Sequence, residues 1–140
     1  MKNFYLTDTF KTACIWAQRN NQAAVVIFII PNTYIESLEN HLILNEEEIW
    51  KKTVYKIRNK PKPDLLDYTK EKRNYKKFIK DIDSNDLISG PICANPTAHD
   101  IDDIRPIKCD GYIPYQYSFK ESTIDDLNSM KAITLFFEET

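Results

Sequence analysis

The sequence predicts an α+β fold, with mixed, mostly antiparallel sheets and helices at their periphery. Three observations lead there. Residues 23–30, Ala-Ala-Val-Val-Ile-Phe-Ile-Ile, form an unbroken apolar run rich in β-branched side chains, the pattern of a strand buried on both faces and central in its sheet. Residues 115–119, Tyr-Gln-Tyr-Ser-Phe, alternate with the period of a strand. Between such runs lie segments with apolar residues at helical spacing, which places helices among strands rather than in a separate bundle.

The elements follow in order. Residues 4–6 read as a short strand, and Asp8 or Thr9 is positioned to cap the helix after it. In that helix, residues 9–19, Phe10, Ala13, Cys14 and Ala17 fall at i, i+3, i+4 and i+7 and define one inward face. Asn20 and Asn21 end it, and Pro31 and Asn32 stop the apolar run. Residues 34–44 read as a helical turn and then an extended piece. After Asn45, Glu46, Glu47 and Glu48 precede Lys51, Lys52, Lys56 and Arg58. Acids first and bases last suit the helix dipole, and Ile49, Trp50, Val54 and Ile57 make the inward stripe.

Residues 59–63 hold two prolines and read as a loop. Residues 64–80 mix lysines with Tyr68, Tyr75 and Phe78 and read as a partly helical surface excursion. Residues 86–91 form a short strand, 95–103 are irregular, and 104–109 suggest a further strand. Ser122 and Asp125 are spaced as a capping box for a helix over 123–131 that buries Ile124, Leu127 and Met130. Residues 132–138 close the chain as a strand.

Bulk properties narrow the function classes. At 140 residues, 42 % of them hydrophobic, the chain suffices for one core, a single domain over 1–140. Only two glycines are present, Gly90 and Gly111, which excludes the clustered glycines of dinucleotide fingerprints and P-loops. A net charge of −2 gives no global attraction to nucleic acid or acidic membranes. Cys14, Cys93 and Cys109 are far apart, with no Cys-x-x-Cys pair and no secretory signal ahead of them. They read as reduced thiols of a cytoplasmic protein. The apolar run is too short to span a membrane.

Three constellations have a plain structural reading. His99, Asp100, Asp102 and Asp103 cluster like ligands but match no metal-loop spacing, and an acidic surface loop is favoured. No cysteine has a local activating base. Lys70, Lys72, Arg73, Lys76, Lys77 and Lys80 interleave with aromatics over residues 68–80, as single-strand-binding surfaces do. The surrounding acids favour a solvated face.

Three short patterns remain, and they occur in a particular order. Phe4-Tyr5-Leu6-Thr7 precedes an Ala-x-x-Trp-Ala helix formed by Ala13, Trp16 and Ala17. Asp86-Leu87-Ile88-Ser89-Gly90-Pro91 follows, and then Tyr115-Gln116-Tyr117-Ser118-Phe119. The ordered set resembles the ADP-ribosyltransferase-like superfamily, in particular uncharacterised bacterial and invertebrate domains. The resemblance runs from Phe4 to about Phe137.

It implies a split, strongly bent β-sandwich with a nicotinamide cleft, NAD as substrate and no metal. In that superfamily a first-strand His or Arg holds the NAD ribose, and a Tyr or a Ser-Thr-Ser motif lines the nicotinamide. A late-strand Glu stabilises the oxocarbenium-like transition state. Carried over by position, Tyr5 takes the aromatic place, Gln116 the late-strand place, and Thr7 adds a hydroxyl. The resemblance thus makes Gln116 and Tyr5 the catalytic candidates, and Tyr5, Thr7 and Gln116 the cofactor-binding ones.

Two departures bear on activity. The ribose-holding residue would lie upstream of Phe4, where only Met1, Lys2 and Asn3 stand, so the first strand motif is expected to be missing. Gln116 carries no charge, and losing such a charge costs several kcal/mol of barrier. The expectation is a degenerate or incomplete transferase domain, with Gln116 and Tyr5 facing one cleft. The rival from another class is a non-catalytic module that binds a protein or nucleic acid through residues 68–80.

Overall fold

In the computed structural model, which describes residues 3–95 and 97–138, strands divide between two sheets. The larger has the order β1-β5-β4-β3, formed by β1 (Asn3–Thr7), β5 (Tyr115–Lys120), β4 (Leu87–Pro91) and β3 (His41–Ile43). β5 runs antiparallel to both β1 and β4, and β3 lies parallel to β4. The smaller is an antiparallel ribbon of β2 (Ala24–Phe28) and β6 (Ala132–Phe136). Helices α1 (Phe10–Arg19), α2 (Asn32–Ser37), α3 (Glu47–Arg58), α4 (Tyr68–Asp83) and α5 (Ile124–Asn128) surround them. The class is mixed α+β, with antiparallel pairing predominant.

The pleat of the larger sheet separates two cores, because successive side chains point to opposite faces. Leu42 and Ile88 lie on one face, where Leu44, Trp50 of α3 and Ile104 form a buried cluster. Trp50 is 2 % exposed and its Nε1–H donates to the Pro91 carbonyl at 3.0 Å, so the indole is satisfied as well as buried. On the other face Leu87 and Phe119 pack with Leu127 of α5, flanked by Phe4, Leu6 and the α2 residues Tyr34 and Ile35. Burying a large apolar side chain of this kind contributes about 1.5–3 kcal/mol.

Local chemistry explains where α1 stops. Asn21 has φ 54°, Gln22 N–H donates to the Ala17 carbonyl, and Asn21 N–H to the Gln18 carbonyl. That pair of bonds around a left-handed residue is a Schellman stop, and asparagine tolerates the conformation better than most residues. Among the described residues, no helix is long and apolar enough to cross a membrane.

Several expectations are corrected. Residues 23–30 do not form a central strand buried on both faces: among the described residues β2 pairs only with β6, and Val26 and Ile29 are 47 % and 54 % exposed. An apolar run reports the absence of charge, not the number of neighbouring strands. Of the α3 stripe, Trp50 is buried but Ile49 and Ile57 are exposed. On α1 the buried residue is Thr12 and Phe10 is exposed, because Thr12 turns toward Thr9 and Cys109. Residues 104–109 form isolated bridges rather than a strand.

The caps differ too. Thr9 and Thr123 occupy the N-cap positions of α1 and α5 without side-chain capping bonds, so the Ser122–Asp125 box does not form. Thr123 donates instead to the Lys120 carbonyl. Residues 68–83 are a full helix. Tyr75 donates to the Ile57 carbonyl at 2.7 Å and the Lys56 ammonium sits 4.3 Å from the Phe78 ring centre, so these two aromatics face α3 while the lysines face out.

Candidate functional site

Between the Phe119 face of the larger sheet and the α1–β2 segment lies a cleft of about 1040 Å³. Phe4, Leu6, Tyr117 and Phe119 come from the sheet, Ala13, Trp16 and Ala17 from α1, and the strand β2 closes the far side. The Phe4 and Phe28 rings meet edge to face with centroids 5.8 Å apart, which ties the ribbon to β1.

The corner between β1 and α1 is pinned to the start of β5. Asp8 accepts from the Tyr115 N–H through Oδ1 at 2.9 Å and from the Tyr112 hydroxyl through Oδ2 at 2.8 Å. Thr7 donates its hydroxyl to the Tyr115 carbonyl at 3.0 Å. A carboxylate read from the sequence as a helix cap thus serves as a tertiary clamp. Its two oxygens hold one wall of the cleft at a fixed distance from the sheet.

Apart from Asp8, the polar groups that line the cleft are neutral. On the parallel strands β3 and β4, His41 and Ser89 bring Nε2 and Oγ to 2.8 Å. Ser89 is 4 % exposed. Burial lowers the His41 pKa from its ordinary 6.5, so the ring stays uncharged at neutral pH. Directly opposite Ser89 across the β4–β5 ladder stands Tyr117. Burial raises the pKa of its phenol, helped by the charge of Asp8, and the hydroxyl makes no hydrogen bond among the described residues. Asp8 is the one Asp, Glu, Lys or Arg in the described wall.

The residues singled out by resemblance separate. Register puts Tyr5 opposite Ser118 and Thr7 opposite Gln116, so all three candidates share one side of the pleat. Tyr5 and Thr7, on the edge strand β1, still border the cleft. Gln116, on the internal strand β5 between Thr7 and Gly90, lies outside its wall. Tyr5 is 55 % exposed.

No protein family, curated protein or solved structure matches this chain. The reading of the cleft therefore rests on its own geometry and on the motif order. Sequence reasoning missed His41 and Ser89 as a pair, since their 48-residue separation gives no local signal. Tyr117 was within reach: the alternation that isolates Gln116 also places Tyr115, Tyr117 and Phe119 together on the opposite face. Cys14, Cys93 and Cys109 are unpaired and half-buried. Among the described residues, no three His, Cys, Asp or Glu side chains converge as metal ligands do. His99 to Asp103 contain a 3₁₀ turn capped by Asp100, whose Oδ1 accepts from the Asp102 N–H.

Proposed function

We propose that this chain is an ADP-ribosyltransferase-like domain, degenerate in its late-strand residue, whose cleft binds NAD in a cytoplasmic setting without efficient transfer. The observation that carries the reading is that Tyr5 and Thr7, from the first of the ordered motifs, border the cleft, which is large enough for a nucleotide-sized ligand. The aromatic wall suits a nicotinamide or adenine ring. The amide Gln116, outside the wall, supplies no negative charge to an oxocarbenium ion.

Binding is tested by melting. NAD⁺ at ten times its Kd stabilises the native state by about 1.4 kcal/mol, a rise of several degrees for a domain of this size. No shift at millimolar NAD⁺ refutes the reading.

The rival has one observation of its own. Lys70, Lys72, Arg73, Lys76, Lys77 and Lys80 are all exposed on the outer face of α4. Because Tyr75 and Phe78 face α3, that surface offers charge with only the Tyr68 ring, 5.7 Å from the Lys72 ammonium, beside it, and would suit an acidic protein or a phosphate backbone. Salt-sensitive binding to RNA or to an acidic protein, with no response to NAD⁺, would favour it.

A further inference from the structure

Charge is spread unevenly along the chain. Residues 51–80 hold twelve of its 19 Lys and Arg but three of its 21 Asp and Glu, a net charge of +9. The remaining residues carry −11, so the total of −2 conceals two oppositely charged parts. The fold concentrates the positive charge on α4, a helix of 16 residues and about 24 Å. Lys70, Arg73, Lys77 and Lys80 fall at i, i+3, i+7 and i+10. Lys72 and Lys76 run beside them, and the six cover an arc of about 160°. All six are exposed, and none forms an ion pair among the described residues. Glu71, the acid inside this run, is half-buried on the opposite side, in helical step with Tyr75 and Phe78, which face α3. Asp81 and Asp83 enter only at the last turn. Like charges three and four residues apart repel, so α4 keeps its form against its own charge.

We infer that the exposed face of α4 docks in the major groove of a DNA duplex and holds the phosphates on both sides, without reading sequence. Besides the six cations the arc carries Thr69 and Asp83 and no apolar side chain, so an acidic protein would find charge without an anchor. The apolar side of α4 is already occupied by α3, which keeps it from lying in a membrane interface. A single strand needs rings to stack on, and only the Tyr68 ring stands beside the cations. The width of the arc points to a groove, because Lys72 and Lys70 at its borders aim at opposite walls. The major groove of B-form DNA admits a helix, whereas that of an RNA duplex is too narrow. The negative remainder of the chain repels the same duplex and so favours one orientation. The inference rests on the reading of α4 as a binding surface and not on the cleft.

The test is fluorescence anisotropy of the full chain with a labelled DNA duplex of about 20 base pairs. The single strand, an RNA duplex, polyglutamate and anionic lipid vesicles serve as competitors. The DNA duplex is expected to bind with a Kd of about 10⁻⁶–10⁻⁴ M at physiological salt, whatever its sequence. The logarithm of the binding constant should fall with that of salt with a slope of about −4 to −5, as about five phosphates are neutralised. Arg73→Gln, Lys76→Gln and Lys77→Gln should each weaken binding and reduce the slope by about 1. Glutamine suits an exposed helix nearly as well as lysine or arginine, and an unchanged melting temperature confirms the fold. Lys108→Gln, also exposed but outside residues 51–80, should bind as wild type does.

Binding that the three α4 substitutions weaken and Lys108→Gln does not supports the inference. Duplex binding that none of them alters overturns it, as does tighter binding of the single strand or the RNA duplex. Binding of polyglutamate in place of DNA also overturns it, although α4 would then remain a protein-binding surface. Binding of vesicles alone, or of no polyanion, refutes both.

Discussion

A β-carbon on Gly90 would lie 3.0 Å from Leu44 Cβ and 3.2 Å from the Leu44 carbonyl oxygen. The glycine lets β4 slide beneath Leu44 and the Trp50 ring. β4 carries Ser89 on its other face, so the same close approach that seals one core sets the height of the cleft floor opposite.

Gly90→Ala should therefore destabilise the domain by about 1–3 kcal/mol, because the obstructing atoms are backbone and Cβ and cannot swing away. Gly111→Ala is the control: nothing lies near its added carbon, but its φ of 78° makes alanine cost about 1 kcal/mol. Urea unfolding with an unchanged slope would measure both. A Gly90→Ala protein as stable as wild type would show that the strand relaxes freely.

Trp50 combines packing with a polar bond, and two substitutions separate them. Trp50→Phe keeps an aromatic ring but leaves the Pro91 carbonyl without its indole donor, a loss of about 1–3 kcal/mol. Trp50→Ala also opens a cavity against Leu44 and Ile104, and should cost about 3–5 kcal/mol. Equal losses for the two would assign the whole effect to the hydrogen bond.

What the sequence revealed depended on how local the cause was. The α3 charge gradient and Trp50 were legible because helix dipole and helical spacing act within a few residues. The Asn20–Asn21 stop was legible for the same reason. The place of β2 was not, because pairing with β6 joins segments about a hundred residues apart and leaves no periodic trace. The cleft was half legible. Tyr5 and Thr7 were found by motif order, whereas the His41–Ser89 contact exists only through parallel pairing of two short strands.

Burial of the His41 ring gives the stability a pH dependence. Burial holds the folded His41 pKa below the 6.5 of an exposed imidazole. Between the lowered value and 6.5 the unfolded chain binds a proton that the folded chain does not, so stability falls as pH drops through this window. Below the folded pKa both states are protonated and the loss is complete. His41→Gln should remove this component. The wild-type and variant stability curves would then converge or cross as pH falls from about 7.5 to about 5, the range in which histidines titrate. Parallel curves over that range would show that the ring titrates alike in both states.

Gln116→Glu decides how far the late-strand resemblance extends to chemistry. The residue sits between Thr7 and Gly90 on an internal strand, half-buried and outside the cleft wall. A carboxylate there would be partly desolvated, costing about 1–3 kcal/mol at neutral pH and less under acidic conditions, where the group is neutral. Because orientation toward the reacting ribose carries much of the rate, a charge on the wrong side of the pleat gains nothing. NAD⁺ hydrolysis by Gln116→Glu should stay at the wild-type baseline, read by release of nicotinamide. A rise of tenfold or more would place the reacting bond on the Gln116 face and move the active cleft away from His41 and Ser89.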